Sequence, residues 1–137
     1  MRISNTGRNI FKLYRMSKEI SKSKRAIVYH KFNGRCAYCG EKIPVNKFHV
    51  DHIKPKFRGY TPPFTEKGTN HIDNLNPSCP SCNIAKSTFT VEQFREQIKL
   101  KIDRMRRDST NFRMLERYKL IKCMDKKEVV FHFEKIK

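Results

Sequence analysis

Residues 79–86 read Cys-Pro-Ser-Cys-Asn-Ile-Ala-Lys, and a second pair of cysteines at the same spacing stands upstream in Cys36-Ala-Tyr-Cys39. A two-residue gap lets both sulfurs of a tight turn point at one ion, and two such turns complete a tetrahedral thiolate shell. The 39 residues between the pairs, 40–78, exceed a short zinc ribbon, so an ion on Cys36, Cys39, Cys79 and Cys82 would clamp distant segments together. Two other readings use the same pairs. Disulfides suit secreted chains, and the start, MRISNTGRNIFKLYRMSK, has no apolar stretch of a secretory signal. Redox motifs expect a thioredoxin-like strand–helix–strand context, and none is visible. Structural Zn²⁺ is the favoured reading. Cys123 stands alone and reads as a small buried hydrophobe.

Between and around the pairs, the pattern changes several times. KFHVDHI (47–53) alternates like a strand, with Pro55 to end it. Residues 55–68 hold three Pro and two Gly, a long irregular loop of the kind that is often functional. HIDNLNPSC (71–79) predicts a short strand or turn, and a short helix then carries Cys82, Asn83 and Lys86. Hydrolysis of a phosphodiester needs a base for water, a divalent ion on the phosphate, charge support and help for the leaving oxygen. His52 is a candidate base, because an imidazole titrates near neutrality. Asp51 offers a hard oxygen of the kind Mg²⁺ prefers, and the Asn83 amide oxygen offers a second. Lys86 follows Asn83 by one helical turn, shares its face and is placed to reach a phosphate. Adjacent Asp51 and His52 point to opposite faces of a regular strand, so one site can use both only if the strand ends or bulges there. His49 shares the Asp51 face; a supporting or merely exposed role is favoured over a metal or phosphate contact. His71 reads as loop surface. Arg58, in the long loop, either tracks a nucleic-acid backbone or is simply solvated.

In this order, a cysteine knuckle, D-H-I-x-P, D-N-L and C-x-x-C-N-x-x-K, residues 36–86 resemble the HNH nuclease family. The resemblance implies an α+β fold: a ββα-metal core with a four-cysteine zinc site, flanked here by basic helices and a C-terminal strand. Carried over by position, Asp51 and Asn83 match the ligands of a catalytic Mg²⁺ or Mn²⁺, and His52 matches the general base. Asn74 matches the asparagine that holds loop and base by hydrogen bonds, and Lys86 matches a lysine at the phosphate. Lys54, Lys56 and Arg58 are then the expected DNA contacts near the site. The expected activity is a metal-dependent DNA endonuclease, nicking or cutting both strands. The alternative is a non-catalytic, zinc-stapled module that binds nucleic acid.

The flanks agree with either outcome. Among 137 residues, 31 Lys and Arg against 13 Asp and Glu leave a formal charge of +18. That excess is self-repelling unless a polyanion relieves it, and nucleic acid is the usual polyanion. Residues 1–35 carry ten Lys/Arg and one acid, and residues 95–127 carry twelve and five. RNA is the weaker partner, since no RNA-binding aromatic motif is present. No apolar run approaches the ~20 residues of a membrane span. The expectation is a cytoplasmic protein, bacterial or phage-encoded.

One domain over 1–137 is expected, with a basic helical extension at 1–34, the core at 35–88, and helices and a strand at 89–137. Helices are predicted at 8–21 and 23–32, the second stopped by Gly34. Thr90-Val-Glu-Gln93 matches a capping box, ahead of Val91, Phe94, Ile98, Ile102 and Met105 at helical spacing. A further helix follows Asn111, with Phe112, Leu115 and Tyr118 at steps of three. EVVFHF (128–133) predicts a strand, with His132 as a strand histidine without catalytic duty. One site cuts one strand per encounter, so double-strand cleavage would need a homodimer or two successive events.

Overall fold

The computed structural model describes residues 20–56, 68–123 and 128–136. The expected helix at 8–21 lies outside them, apart from its last two residues. Ser21 instead caps helix α1 (Lys22–His30), its hydroxyl accepting from the Lys24 amide at 3.3 Å. The helix ends at His30, two residues before the expected boundary, in a turn that runs to the expected stop at Gly34. Asn33 (φ 52°) and Gly34 (φ 70°) both take left-handed backbone, and the Gly34 amide reaches back to the Tyr29 carbonyl at 3.1 Å. That six-residue return is the Schellman stop, which satisfies a carbonyl the helix leaves open.

The first cysteine turn follows at once. Its base is the Arg35–Lys42 bridge, with the Gly40 amide on the Cys36 carbonyl at 3.0 Å. Strand β1 (His49–His52) pairs antiparallel with β2 (Leu75–Ser78), placing His49 opposite Ser78 and His52 opposite Leu75. A 3₁₀ turn, Ile72–Asn74, leads into β2. Pro77 sits inside β2, where its missing N–H is harmless on an edge. Its carbonyl accepts from Ala37 at 2.8 Å and so ties the first cysteine turn to the sheet. Helix α2 (Pro80–Lys86) starts with Pro80 in its first turn and Cys79 as its cap, the Sγ accepting from the Cys82 amide at 3.4 Å. Proline is preorganised for that position because its fixed φ is helical and its N–H is not needed.

The capping box at Thr90 is present in both directions, at 3.2 and 2.9 Å, and opens α3 (Val91–Lys99). The single helical run expected through Met105 is broken at Leu100, which ends α3 and starts α4 (Lys101–Asp108). Phe94 is buried in the core, whereas Met105 is 46% exposed, so the second half of the apolar stripe does not continue the first into that core. An Arg106–Glu116 fork at 2.8–3.0 Å holds α4 on α5 (Thr110–Arg117). Phe112 anchors α5, while Tyr118 is left exposed.

The predicted C-terminal strand at 128–133 is corrected: the chain ends in a short helix, α6 (His132–Lys135). Its in–out alternation is real, since Val129, Phe131 and Phe133 face the core cluster while Glu128 and Val130 are exposed. The backbone turns because Glu134 accepts from the Phe131 amide at 2.8 Å. Consecutive amides of His132 and Phe133 meet the carbonyls of Tyr38 and Ala37, a pattern no strand ladder makes. Cys123 is half-buried. Among the described residues, the fold is therefore a mixture of helices and one small antiparallel sheet. Its core is Val28, Tyr38, Ile43, Phe48, Leu75, Phe94 and Phe131, with Cys36. No helix among the described residues is long and apolar enough to cross a membrane.

Candidate metal centres and the cleft beside them

The fold brings all four predicted cysteines together. Their Sγ atoms lie within 4.8 Å of one another, and Cys39 and Cys79 are 3.9 Å apart. An ion ~2.3 Å from each of four tetrahedral sulfurs sets edges of about 3.8 Å. The donor set and its spacing therefore fit a zinc ion. Charge tells the same story. A hydrogen bond from Cys82 pulls the Cys36 thiol down to about 4, whereas that same partnership pushes Cys82 well above the usual thiol range. Burial raises Cys39 to about 11. One thiolate forms readily here and then opposes the ionisation of its neighbours; a dication relieves that repulsion.

Tyr38 lies between the sulfurs of the first turn, and its side chain runs inward. The ring meets Phe94 and Phe131 edge-on at 5.5 and 5.4 Å, and those two stack at 5.4 Å. Its hydroxyl emerges from this aromatic layer to donate to Asp51 Oδ2. Burial foremost, then the neighbouring Asp51 charge, holds the phenol far above its ordinary range, so it stays a donor. Nothing in the sequence pattern singled it out, because a residue inside C-x-x-C reads as a spacer.

Asp51 is 6% exposed and Lys86 is fully covered. The Lys86 ammonium sits 3.0 Å from Asp51 Oδ2 and 3.3 Å from Oδ1, and it donates to the His52 carbonyl at 2.8 Å. Asp51 and Lys86 were thus expected at one site and are in direct contact. The expected phosphate contact differs from the position observed, because this ammonium is turned into the protein. Burial without a counter-charge would be prohibitive for lysine, and Asp51 supplies that charge.

The strand alternation stays regular through Asp51 and His52. Asp51 turns beneath α2, and the His52 ring makes a 2.9 Å contact through Nε2 with Asn70 Oδ1. Asn83 lies on α2, with its Nδ2 3.3 Å from His49 Nδ1. The side chain of Asn74 staples the loop roots. It accepts from the Lys54 amide at 2.8 Å and donates to the carbonyls of Lys54 and Thr69 at 3.1 and 2.9 Å. Lys54 is exposed and Lys56 half-buried just after β1; Arg58 lies outside the described residues. His71 is exposed and pairs with Asp73 at 3.0 Å. Two more lysines brace the site from α1 and just beyond it. Lys24 donates to the Asn70 carbonyl at 2.9 Å, and Lys31 to the Leu75 carbonyl at 3.0 Å and Asn76 Oδ1 at 3.2 Å.

Set beside known proteins, residues 36–89 match the sequence model of the HNH endonuclease family. YoqL of Bacillus subtilis (strain 168), an SPbeta prophage-derived protein provisionally named an HNH endonuclease, is 34% identical over 74 residues. The match takes in 46% of this chain and 27% of YoqL, so the chain spans about a quarter of that relative's length. Among solved structures, the Type II-C Cas9 enzyme from Actinomyces naeslundii aligns at 22% identity with a TM-score of 0.45. That alignment covers 88% of this chain and 14% of Cas9.

Proposed function

We propose, from the match of residues 36–89 to the HNH endonuclease family, that this protein is a metal-dependent DNA endonuclease whose site is formed by β1, the loop roots and α2. The observation that carries the reading is the Asp51–Lys86 pair: two residues of separate motif elements, 35 apart in sequence, are in contact within the ββα unit. Asp51 and the Asn83 amide oxygen are the proposed ligands of Mg²⁺ or Mn²⁺. When bound, such an ion polarises the phosphate and stabilises the departing oxygen. A carboxylate has room for more partners than Tyr38 and Lys86, so the donor set fits the ion.

The roles of the chain's own groups follow from their positions. His52 takes the proton from the attacking water through its imidazole. Lys86, with the Tyr38 hydroxyl, fixes Asp51 rather than touching the phosphate. Asn74 keeps the root of the loop against the end of β1. Lys54 and Lys56 just after β1, and Arg58, meet the DNA backbone, where phosphate contacts position the protein without reading sequence. The four cysteines hold structural Zn²⁺. On this reading the units at 1–34, 35–88 and 89–137 are one working protein of a bacterial or phage cytoplasm, with cleavage of both strands requiring a homodimer or two visits.

A second reading has its own support. The carboxylate of Asp51 already has a cationic and a phenolic partner, as suits a binding module that does not cut. Incubation of the protein with supercoiled plasmid, with Mg²⁺, with Mn²⁺ and without an added divalent ion, separates the two. Nicking or linearisation that needs the ion and is lost in His52→Ala is the expected result. A mobility shift without cleavage in any metal would leave the binding module.

A further inference from the structure

We propose that Asn70 is a positioning residue for His52, fixing the neutral imidazole as its Nε2–H tautomer so that Nδ1 is the proton acceptor. The inference rests on the reading of His52 as the base. Asn70 Oδ1 stands 2.9 Å from His52 Nε2. An amide oxygen only accepts, so the ring nitrogen facing it carries the hydrogen, and a neutral imidazole then keeps its lone pair on the other nitrogen. Neither residue's sequence neighbourhood predicts this contact; Asn70 follows the long loop, 18 positions after His52.

The acceptor is anchored residue by residue. The Gly68 amide meets the Pro55 carbonyl at 3.2 Å, and the Thr69 carbonyl takes the Asn74 side chain at 2.9 Å. The Asn70 carbonyl takes the Lys24 ammonium of α1 at 2.9 Å. Gly68 is packed so closely on the Lys54 carbonyl that a Cβ there would overlap it, so this approach requires glycine. Three successive residues are therefore tied to three different parts of the protein, and the side chain of the third is held against His52. A base works only if its lone pair meets the water in the right orientation. Asn74, matched by position to the asparagine that steadies the base, holds the segment; Asn70 makes the contact with the ring.

The test uses the zinc-loaded full chain and two readouts. In long-range ¹⁵N correlation spectra at pH about 8.5, where an ordinary imidazole is neutral, His52 is assigned by its loss in His52→Ala. The wild type is expected to show a protonated Nε2, Asn70→Asp to retain it because the acceptor remains, and Asn70→Ala to show a mixture of tautomers. In plasmid cleavage, Asn70→Ala is expected to lower kcat roughly 10- to 100-fold, as loss of such supporting partners commonly does, with KM for DNA little changed. A wild-type Nδ1–H tautomer overturns the proposal, as does an unaltered tautomer or kcat in folded Asn70→Ala. Should Asn70→Ala not fold, loss of the Nε2–H form in Asn70→Asp overturns it equally. If the wild type cuts no DNA, the endonuclease reading fails, while the spectra still decide the Asn70–His52 bond.

Discussion

Lys86 shows what a fully covered ammonium demands of its surroundings. It has Asp51 on one side and the His52 carbonyl on the other, and removal of one partner leaves the other charged and buried. Lys86→Met is expected to destabilise the protein by about 3–5 kcal/mol, the cost of breaking a buried pair. The double variant Lys86→Met, Asp51→Asn should cost less than the two single changes added, because neither charge is then stranded. Urea midpoints of the four proteins measure this; strict additivity would mean that the pair does not interact. The sequence carries the types and order of these residues, and spacing alone places Asn83 and Lys86 on one face of α2. Which atom each side chain serves was not legible. A lysine at a nuclease motif reads as a phosphate ligand until its ammonium is seen turned inward onto Asp51, whose Oδ2 also accepts from Tyr38, 13 residues upstream. Asn70 was invisible for a similar reason: no periodicity reaches across the loop that separates it from His52.

Among the elements, the C-terminal segment departs furthest from expectation, and a single ion pair explains why. Arg95 on α3 grips Glu134 on α6 through its two terminal guanidinium nitrogens, donates to the Val129 carbonyl and lies 4.7 Å over the Phe131 ring. The strand predicted at 128–133 is absent although its side chains alternate between core and solvent, because alternation does not reveal whether a partner strand exists. Here the neighbouring edge offers the Ala37 and Tyr38 carbonyls to consecutive amides, and Glu134 bends the chain into a turn. The break at Leu100 was equally hidden, since no Gly or Pro marks it. The hydrogen bonds from Arg95 hold the Glu134 carboxyl below its usual range. A depressed folded value means that its contribution is present above the ordinary glutamate value of about 4.3 and is lost as pH falls through the folded one. Glu134→Gln should therefore cost about 1 kcal/mol near neutrality, a modest figure because Glu134 is 30% exposed. The gap between wild type and variant should close on acidification below about pH 4. Urea midpoints across that range check it, and a gap independent of pH would assign the effect to packing.

At the scale of the whole molecule, two features work in opposite directions: a four-cysteine site that, with an ion bound, would clamp turns separated by 39 residues, and a charge of +18 that repels itself. A zinc ion held by the four cysteines would supply folding free energy, because its ligands are brought together only in the folded chain. Cys79→Ala should therefore release zinc and unfold the protein, read together by metal analysis and circular dichroism; a folded, metal-free variant would give the cysteines another duty. The charge calls for a partner of opposite sign. Lys101 and Arg104 on α4, and Arg117, Lys119 and Lys122 at the end of α5 and beyond, are all exposed. If these helices lie along DNA, each neutralised phosphate adds about −0.9 to the slope of log affinity against log salt concentration. Neutralising Lys101 and Arg104 together should then flatten that slope by about 1.8, with the zinc site and the cleft untouched. Fluorescence anisotropy of a labelled duplex between about 50 and 200 mM salt measures the slope directly. An unchanged slope would take α4 off the DNA and leave the backbone contacts to Lys54, Lys56 and α1.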